Sequence, residues 1–191
     1  MFDAATAGNR KSERGEATRA PEIEVDERLA LLCMSAAQAF EPIRRIGGKN
    51  GWYFPQVLWT LLGTVDRLLG GPGLRGRSFA DDPQPGDAID FWRVEQYERN
   101  HKLRLVSELK VPGRCWLDFE IESEGKFTIL RQRAEFEPHG IAGRIYWAAL
   151  LPLHRWIFAG LLREIVLNAM SRKTAKYIPN IAKGLPASKH S

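Results

Sequence analysis

Charged groups within apolar segments mark where this chain could do chemistry. Asp90, Arg93, Glu108 and Lys110 all lie in stretches whose hydrophobicity alternates residue by residue. On a strand, successive side chains take opposite faces, so Asp90 and Arg93 point apart while Glu108 and Lys110 share a side. If Asp90 or Glu108 faces inward, desolvation raises its pKa and suits it to general acid or base work. If both face outward, Glu108 and Lys110 form a solvent-face pair. Alternation alone does not say which side is concave, so both readings stay open. His154 is the one histidine inside a long apolar run, a base in one reading and a structural group in the other; His101, His139 and His190 fall in loops or the tail. The sequence has no His-x-x-x-His or Cys-x-x-Cys spacing and no Gly-x-Ser-x-Gly elbow, so neither a dedicated metal site nor a serine-hydrolase nucleophile is expected.

"GPGLRG" at Gly71–Gly76 matches the dinucleotide pattern in letters only. That chemistry needs a strand before it and a helix N-terminus after it, where free N–H groups meet the pyrophosphate. Here a helical pattern precedes and "RSFADDPQPG" follows, so no nucleotide cofactor is expected. Arg75 and Arg77 either hold an anionic group at a cavity mouth or are solvated loop charges. The tryptophans Trp52, Trp59, Trp92, Trp116, Trp147 and Trp156 fall on four predicted elements. They either fill the core or line a cavity for a flat, greasy ligand whose orientation a few polar groups fix. Trp92 stands on the strand face of Asp90 rather than that of Ile89 and Phe91, a mixed polar and aromatic face that suits a pocket.

The elements that must position these groups follow from the pattern. "VDERLALLCM" reads as a strand. Ser35 is a plausible N-cap for a short helix carrying Ala36, Ala39, Phe40 and Ile43 at helical spacing, awkwardly interrupted by Pro42. After "GGKNG", a second helix begins near Pro55 with an apolar stripe of Val57, Leu58, Leu61, Leu62, Val65, Leu68 and Leu69, and stops at Gly70–Gly71. From Gly86 the period becomes two. "DAIDFWRVEQYE", "HKLRLVSELK", "RCWLDFEIES" and "KFTILRQRAEFE" are four strands separated by Asn100, Pro112-Gly113 and Gly125, gaps short enough to imply antiparallel hairpins. A long helix then runs from about His139 to Met170. A curved sheet must cover its concave face, and only this last helix is long and apolar enough. The expected fold class is α+β, with five to seven antiparallel strands wrapped around a long C-terminal helix.

That helix contains "IYWAALLPLHRWIFAGLL", residues 145–162. Pro152, His154 and Arg155 at its centre argue against a bilayer span, since a mid-membrane arginine costs about 2.5–3.5 kcal/mol. Arg144, Ala148, Leu151, Arg155 and Ala159 form one narrow stripe expected to meet water, with the wide apolar face covering the sheet and Pro152 kinking the helix. Tyr146, Leu150 and His154 share one side of it. The whole net charge of +5 is carried by Arg172, Lys173, Lys176, Lys183 and Lys189, so residues 1–170 are formally neutral. A nucleic-acid-binding domain would carry its surplus in the folded part, so no nucleic-acid partner is expected. The basic end supports at most weak peripheral contact with an anionic membrane. Cys33 and Cys115 read as reduced core thiols, and residues 1–22 lack the apolar region of a secretory signal, which together suggest the cytoplasm. The expected organisation is a disordered lead (1–22), one domain (23–170) and a basic flexible tail (171–191).

The motifs "IGGKNGWYF", "LWTLLGTVDRLLGGPGLRGR", "GDAIDFWRVE", "ELKVPGRCWLDFE" and "YWAALLPLHRWIF" occur in that order. Together they resemble an uncharacterised domain of the SRPBCC, or START-like helix-grip, superfamily over residues 27–168. That domain often follows an NmrA-like or epimerase-like NAD(P)-binding short-chain dehydrogenase domain; this chain has no room for one upstream and resembles a stand-alone form. The resemblance implies a cavity between sheet and long helix and supplies no catalytic set. The leading expectation is binding of a small hydrophobic or aromatic molecule in that cavity by residues among Trp52, Trp59, Asp90, Trp92, Glu108, Trp116, Tyr146, Leu150 and His154. One alternative is a cavity enzyme of cyclase, hydrolase or isomerase type with Asp90, Glu108 or His154 as acid–base groups. The other is an accessory subunit docking on a separate dehydrogenase.

Overall fold

Alternating apolar residues in five segments build one antiparallel sheet, and the longest apolar helix lies across it. The computed structural model describes residues 23–171 and the backbone of residues 177–178. In chain order the elements are β1 (Glu24–Leu32), α1 (Ala36–Arg44), α2 (Gln56–Leu68), β2 (Ala88–Ile89), β3 (Trp92–Glu98), β4 (Lys102–Ser107), β5 (Gly113–Glu124), β6 (Phe127–Pro138), α3 (Gly140–Met170) and β7 (Tyr177–Ile178). The sheet order is β2-β3-β4-β5-β6-β1-β7, every pairing antiparallel. This is the helix-grip plan that the motif order implied. The proposed lead at residues 1–22 and all but the first residue of the basic tail, the 177–178 backbone aside, lie outside the described residues.

Cross-strand register shows which face is concave. Leu105 pairs with Leu117, Leu103 with Phe119, Ile121 with Leu130, and Leu117 with Ala134. These side chains, with Leu32 and Phe136, are at most 4% exposed. Each fully buried Leu or Phe contributes about 1.5–3 kcal/mol. The opposite face carries the charges. Arg104 bonds Glu95 (2.7 Å), Asp118 (2.6 Å) and Glu135 (3.0 Å), while Arg131 reaches Glu27 (2.8 Å). Burial works against the Arg104 cation, but these carboxylates outweigh it and hold its pKa above the usual arginine value.

The helix starts follow capping chemistry. Ser35 caps α1 and completes a capping box with Gln38, each side chain accepting the other's backbone N–H. Pro55 sits at the N-cap of α2, where its missing N–H costs little. Left-handed Asn100 and Gly125 turn the β3–β4 and β5–β6 hairpins at the separators read from sequence.

Four expectations change. "DAIDFWRVEQYE" is two strands, not one: Ile89 pairs with Trp92, and Asp90-Phe91 make a two-residue hairpin loop with Asp90 at φ 55°. The α2 stripe faces out, with Val57 81% and Leu68 83% exposed, because the buried face is Trp59, Gly63 and Asp66. α3 buries Gly143, Trp147, Phe158, Leu161, Ile165, Val166 and Ala169, leaving Ile145, Leu153 and Trp156 exposed, and it continues as one helix through Pro152. Cys33 is exposed and Cys115 partly buried, so only the second belongs to the interior.

Candidate functional site

The glycine-rich loops between α1 and β3 are held by two buried carboxylates. Asp90 is 5% exposed. Its Oδ2 accepts from Trp52 Nε1–H (2.8 Å) and Gly48 N–H (3.1 Å), and its Oδ1 accepts from Gly76 N–H (2.9 Å). Asp66, 4% exposed, accepts from Gly73 N–H (3.0 Å) and Lys110 N–H (2.9 Å). Gly73 can make that bond because its φ of +61° is free to a residue without Cβ. The N–H groups of Gly73 and Gly76, which a phosphate would need, are therefore bound to the protein's own carboxylates. "GPGLRG" is a structural loop. Asp66 was not singled out by its sequence context, since it stands in a helical run with Arg67 and reads as a surface charge.

These latches set an aromatic wall. Trp52 stacks on Trp59 with centroids 4.9 Å apart and lies 5.9 Å from Trp92; Phe91 lies 5.9 Å from Trp59. Trp59 is fixed further by its Nε1–H, which donates to the Phe54 carbonyl at 2.8 Å. Opposite, α3 presents a second aromatic row. Trp147 stacks on Phe136 at 5.2 Å, and the His154 ring stands edge-on between Trp147 (4.9 Å) and Phe158 (5.6 Å).

Between the two walls is a cavity of about 130 Å³. Trp59, Phe91 and Trp92 bound it on one side, Cys115, Ala134 and Phe136 from the sheet form its floor, and Tyr146, Leu150 and His154 close it from α3. Two buried polar atoms among these residues, Trp92 Nε1 and His154 Nδ1, have no hydrogen-bond partner among the described residues. Unpaired buried polar atoms cost about 1–3 kcal/mol each and are uncommon in folded proteins.

Burial favours the neutral forms of three titratable groups in the cavity, His154, Cys115 and Tyr146. Burial lowers the His154 pKa, with the Asp26 carboxylate acting weakly in the opposite sense. It pushes the Cys115 thiol and the Tyr146 phenol each up to about 12. The cavity thus offers the Trp92 indole N–H, the Ser107 and Tyr146 hydroxyls, the His154 imidazole and aromatic faces, while Glu135 on its border is bonded to Arg104 (3.0 Å) on the charged side of the sheet. No group of three or more His, Cys, Asp or Glu side chains capable of holding a metal ion occurs among the described residues.

Of the nine residues expected at a site, Trp59, Trp92, Trp116, Tyr146, Leu150 and His154 border the cavity. Trp116 does so from the charged face: Arg104 and Arg114 stand 5.6 and 5.0 Å from its ring, and its strand neighbours Cys115 and Leu117 are the ones pointing inward. Trp52 backs the wall without lining it. Asp90 is a latch. Glu108 lies outside the cavity and bonds Arg93 (2.7 Å) and Arg75 rather than Lys110. Burial raises the Glu108 pKa, but the two arginines reverse this and hold it below the usual carboxylate range. Of the three proposed acid–base groups, only His154 reaches the cavity.

Comparison with known proteins bears on the fold. No curated protein matches the chain. Among solved structures, truncated norcoclaurine synthase from Thalictrum flavum superposes with a TM-score of 0.50 at 10% identity, over 80% of this chain and 96% of the enzyme. The di-domain ARO/CYC StfQ from the steffimycin biosynthetic pathway gives 0.47 at 11% identity, over 78% and 51%. Ara h 8.0201 gives 0.42 at 9% identity, over 76% and 99%. The likeness to truncated norcoclaurine synthase, at 10% identity, is one of fold. A family model described as a protein of unknown function, DUF2867, matches residues 21–161, well over half the sequence. The chain therefore belongs to the DUF2867 family, with a helix-grip fold like that of truncated norcoclaurine synthase.

Proposed function

We propose that this protein binds a small, uncharged, single-ring aromatic molecule in the cavity between the sheet and α3. The observation that carries this reading is the pair Trp92 Nε1 and His154 Nδ1, two buried polar atoms without partners set among aromatic walls. A ligand oxygen, phenolic or carbonyl, would accept from the Trp92 N–H. His154 would complete the recognition as acceptor or donor according to its tautomer. The volume sets the ligand's size. About 130 Å³ is close to the roughly 150 Å³ that takes a benzene ring and well below the ~300–1,000 Å³ of sites for larger molecules. A charged ligand is disfavoured, because Glu135, the carboxylate on the cavity border, is already paired with Arg104 and Arg133 and would not offset the ligand's desolvation.

Isothermal titration of the full chain with phenol, benzaldehyde and benzoate tests this. The two neutral rings should bind and benzoate should not. Trp92→Phe keeps the ring and removes the N–H, and should weaken phenol binding about fivefold to a hundredfold, the equivalent of about 1–3 kcal/mol. Ala134→Leu should fill the floor and abolish binding while leaving the thermal midpoint in place. If Ala134→Leu binds as well as the parent chain, the ligand is elsewhere and the reading fails.

A further inference from the structure

Most of the large apolar side chains that remain exposed stand on α2 and α3. Val57, Leu61, Val65 and Leu68 form a row along α2 at 45–83% exposure, with Leu69 at its end; Ile145, Leu153 and Trp156 continue the patch on α3. The two helices flank the same opening, since Leu58 and Leu62 of α2 and Leu153 and Ile157 of α3 all line the cavity. They are tied together by Phe54, whose ring meets Trp156 edge-on at 4.9 Å and fits against α3 only because residue 160 is glycine. In the most apolar window of α3, only 28% of residues are buried.

The charges on this surface are predominantly positive. Arg67, Arg144, Arg155 and Arg163 are exposed there. Across Gln56–Leu68 and Gly140–Met170 the carboxylates are Asp66, buried in the loop latch, and Glu164, half-buried and 3.7 Å from Arg163. The sequence after α3 adds Arg172, Lys173 and Lys176 with no acidic residue. A protein partner gives no reason for the outward sides of both helices to carry four arginines against one half-buried glutamate. An anionic bilayer does, because arginines meet the headgroups while Leu, Val and Trp enter the acyl boundary.

We infer that the outer faces of α2 and α3 dock on an anionic lipid surface, with the mouth of the cavity turned toward it. A neutral aromatic ligand that partitions into lipid would then enter without crossing water. The docking rests on the surface itself and holds whatever the cavity takes; vesicle binding is measured without ligand, and ligand binding without vesicles, so failure of one reading is distinct from failure of the other.

The test is co-sedimentation of the full chain with phosphatidylcholine vesicles, with and without phosphatidylserine, at low and high salt. The expected result is binding to phosphatidylserine vesicles that weakens as salt rises. The double variant Leu61→Glu, Leu68→Glu should lose at least about tenfold in vesicle affinity and keep its thermal midpoint and its titration with phenol. Arg67→Glu with Arg155→Glu should reduce binding to the phosphatidylserine vesicles. Three outcomes overturn the inference: no sedimentation with either vesicle; sedimentation unchanged by the leucine pair, which would assign it to the basic chain end; or a dimer in sedimentation velocity that the leucine pair dissolves, which would make this face a self-association surface.

Discussion

Asp90→Asn tests whether the most conspicuous charged residue of this chain is chemical or structural. The substitution keeps side-chain shape, and asparagine tolerates the left-handed backbone at φ 55°, so backbone strain is not introduced. What changes is hydrogen bonding. The carboxylate accepts three N–H groups, two at Oδ2 and one at Oδ1. An amide can place its oxygen at the two-donor position and then faces Gly76 N–H with its own NH₂. One charge-assisted bond worth about 1.5–3 kcal/mol is lost, and a buried donor is left unpaired at about 1–3 kcal/mol. Because these overlap, the expected loss is about 2–4 kcal/mol. For a chain of this size that lowers the thermal midpoint by roughly 4–16 °C. Calorimetric or circular-dichroism melting reads it directly. Phenol binding should weaken as well, because Trp52 loses its anchor and sits 4.9 Å from Trp59 and 5.9 Å from Trp92. A midpoint within about 2 °C of the parent chain would refute the latch, and an unchanged midpoint with lost turnover would restore Asp90 as a catalytic group.

Two further outcomes follow from burial in the cavity. The folded-state pKa of His154 is lowered beneath its ordinary 6.5, so below that pH the unfolded chain takes up the proton more readily than the folded one. Its contribution to stability is full above pH 6.5 and declines as pH falls. Urea unfolding from pH 8 to pH 5 should therefore show a steeper loss for the parent chain than for His154→Leu; parallel profiles would contradict the burial argument. Iodoacetamide at pH 8 should label exposed Cys33 and spare Cys115, whose thiol burial pushes up to about 12. Peptide mass spectrometry reads the ratio, and equal labelling would mean that the cavity floor opens freely to solvent.

What the sequence disclosed and what it withheld divide along physical lines. Two-residue alternation in β4 to β6 located the strands, and left-handed Asn100 and Gly125 located their turns, because both are local effects. The apolar stripe of α2 was just as legible and pointed the wrong way. Periodicity identifies an apolar face and not what it faces. Here the buried side is Trp59, Gly63 and Asp66, packed against Leu74, whose side chain would meet a Cβ at Gly63 at 2.6 Å. The Asp90-Phe91 turn was missed because aspartate in a left-handed position leaves the surrounding hydrophobic alternation almost undisturbed. Trp92, Tyr146, Leu150 and His154 border the cavity, the last three on the regular period of α3 and Trp92 at the start of β3, where the alternation counted through Asp90 does not hold.

The same contrast separates structure from function within the site. Asp90 reads as chemistry in the sequence and Asp66 as a surface charge, yet both are buried and accept five N–H groups between them. Their bonds are used up in holding the chain. Trp92 and His154 look ordinary in sequence, one an aromatic on a strand and the other a lone histidine on an apolar helix. Only the fold shows that Trp52 and Trp59 have partners for their indole N–H groups while Trp92, in the same cluster, has none. A packing tryptophan could have been paired as its neighbours are. Leaving this one unpaired costs stability at the same place where the wall opens into the cavity, and a ligand that accepts its hydrogen bond would recover that cost.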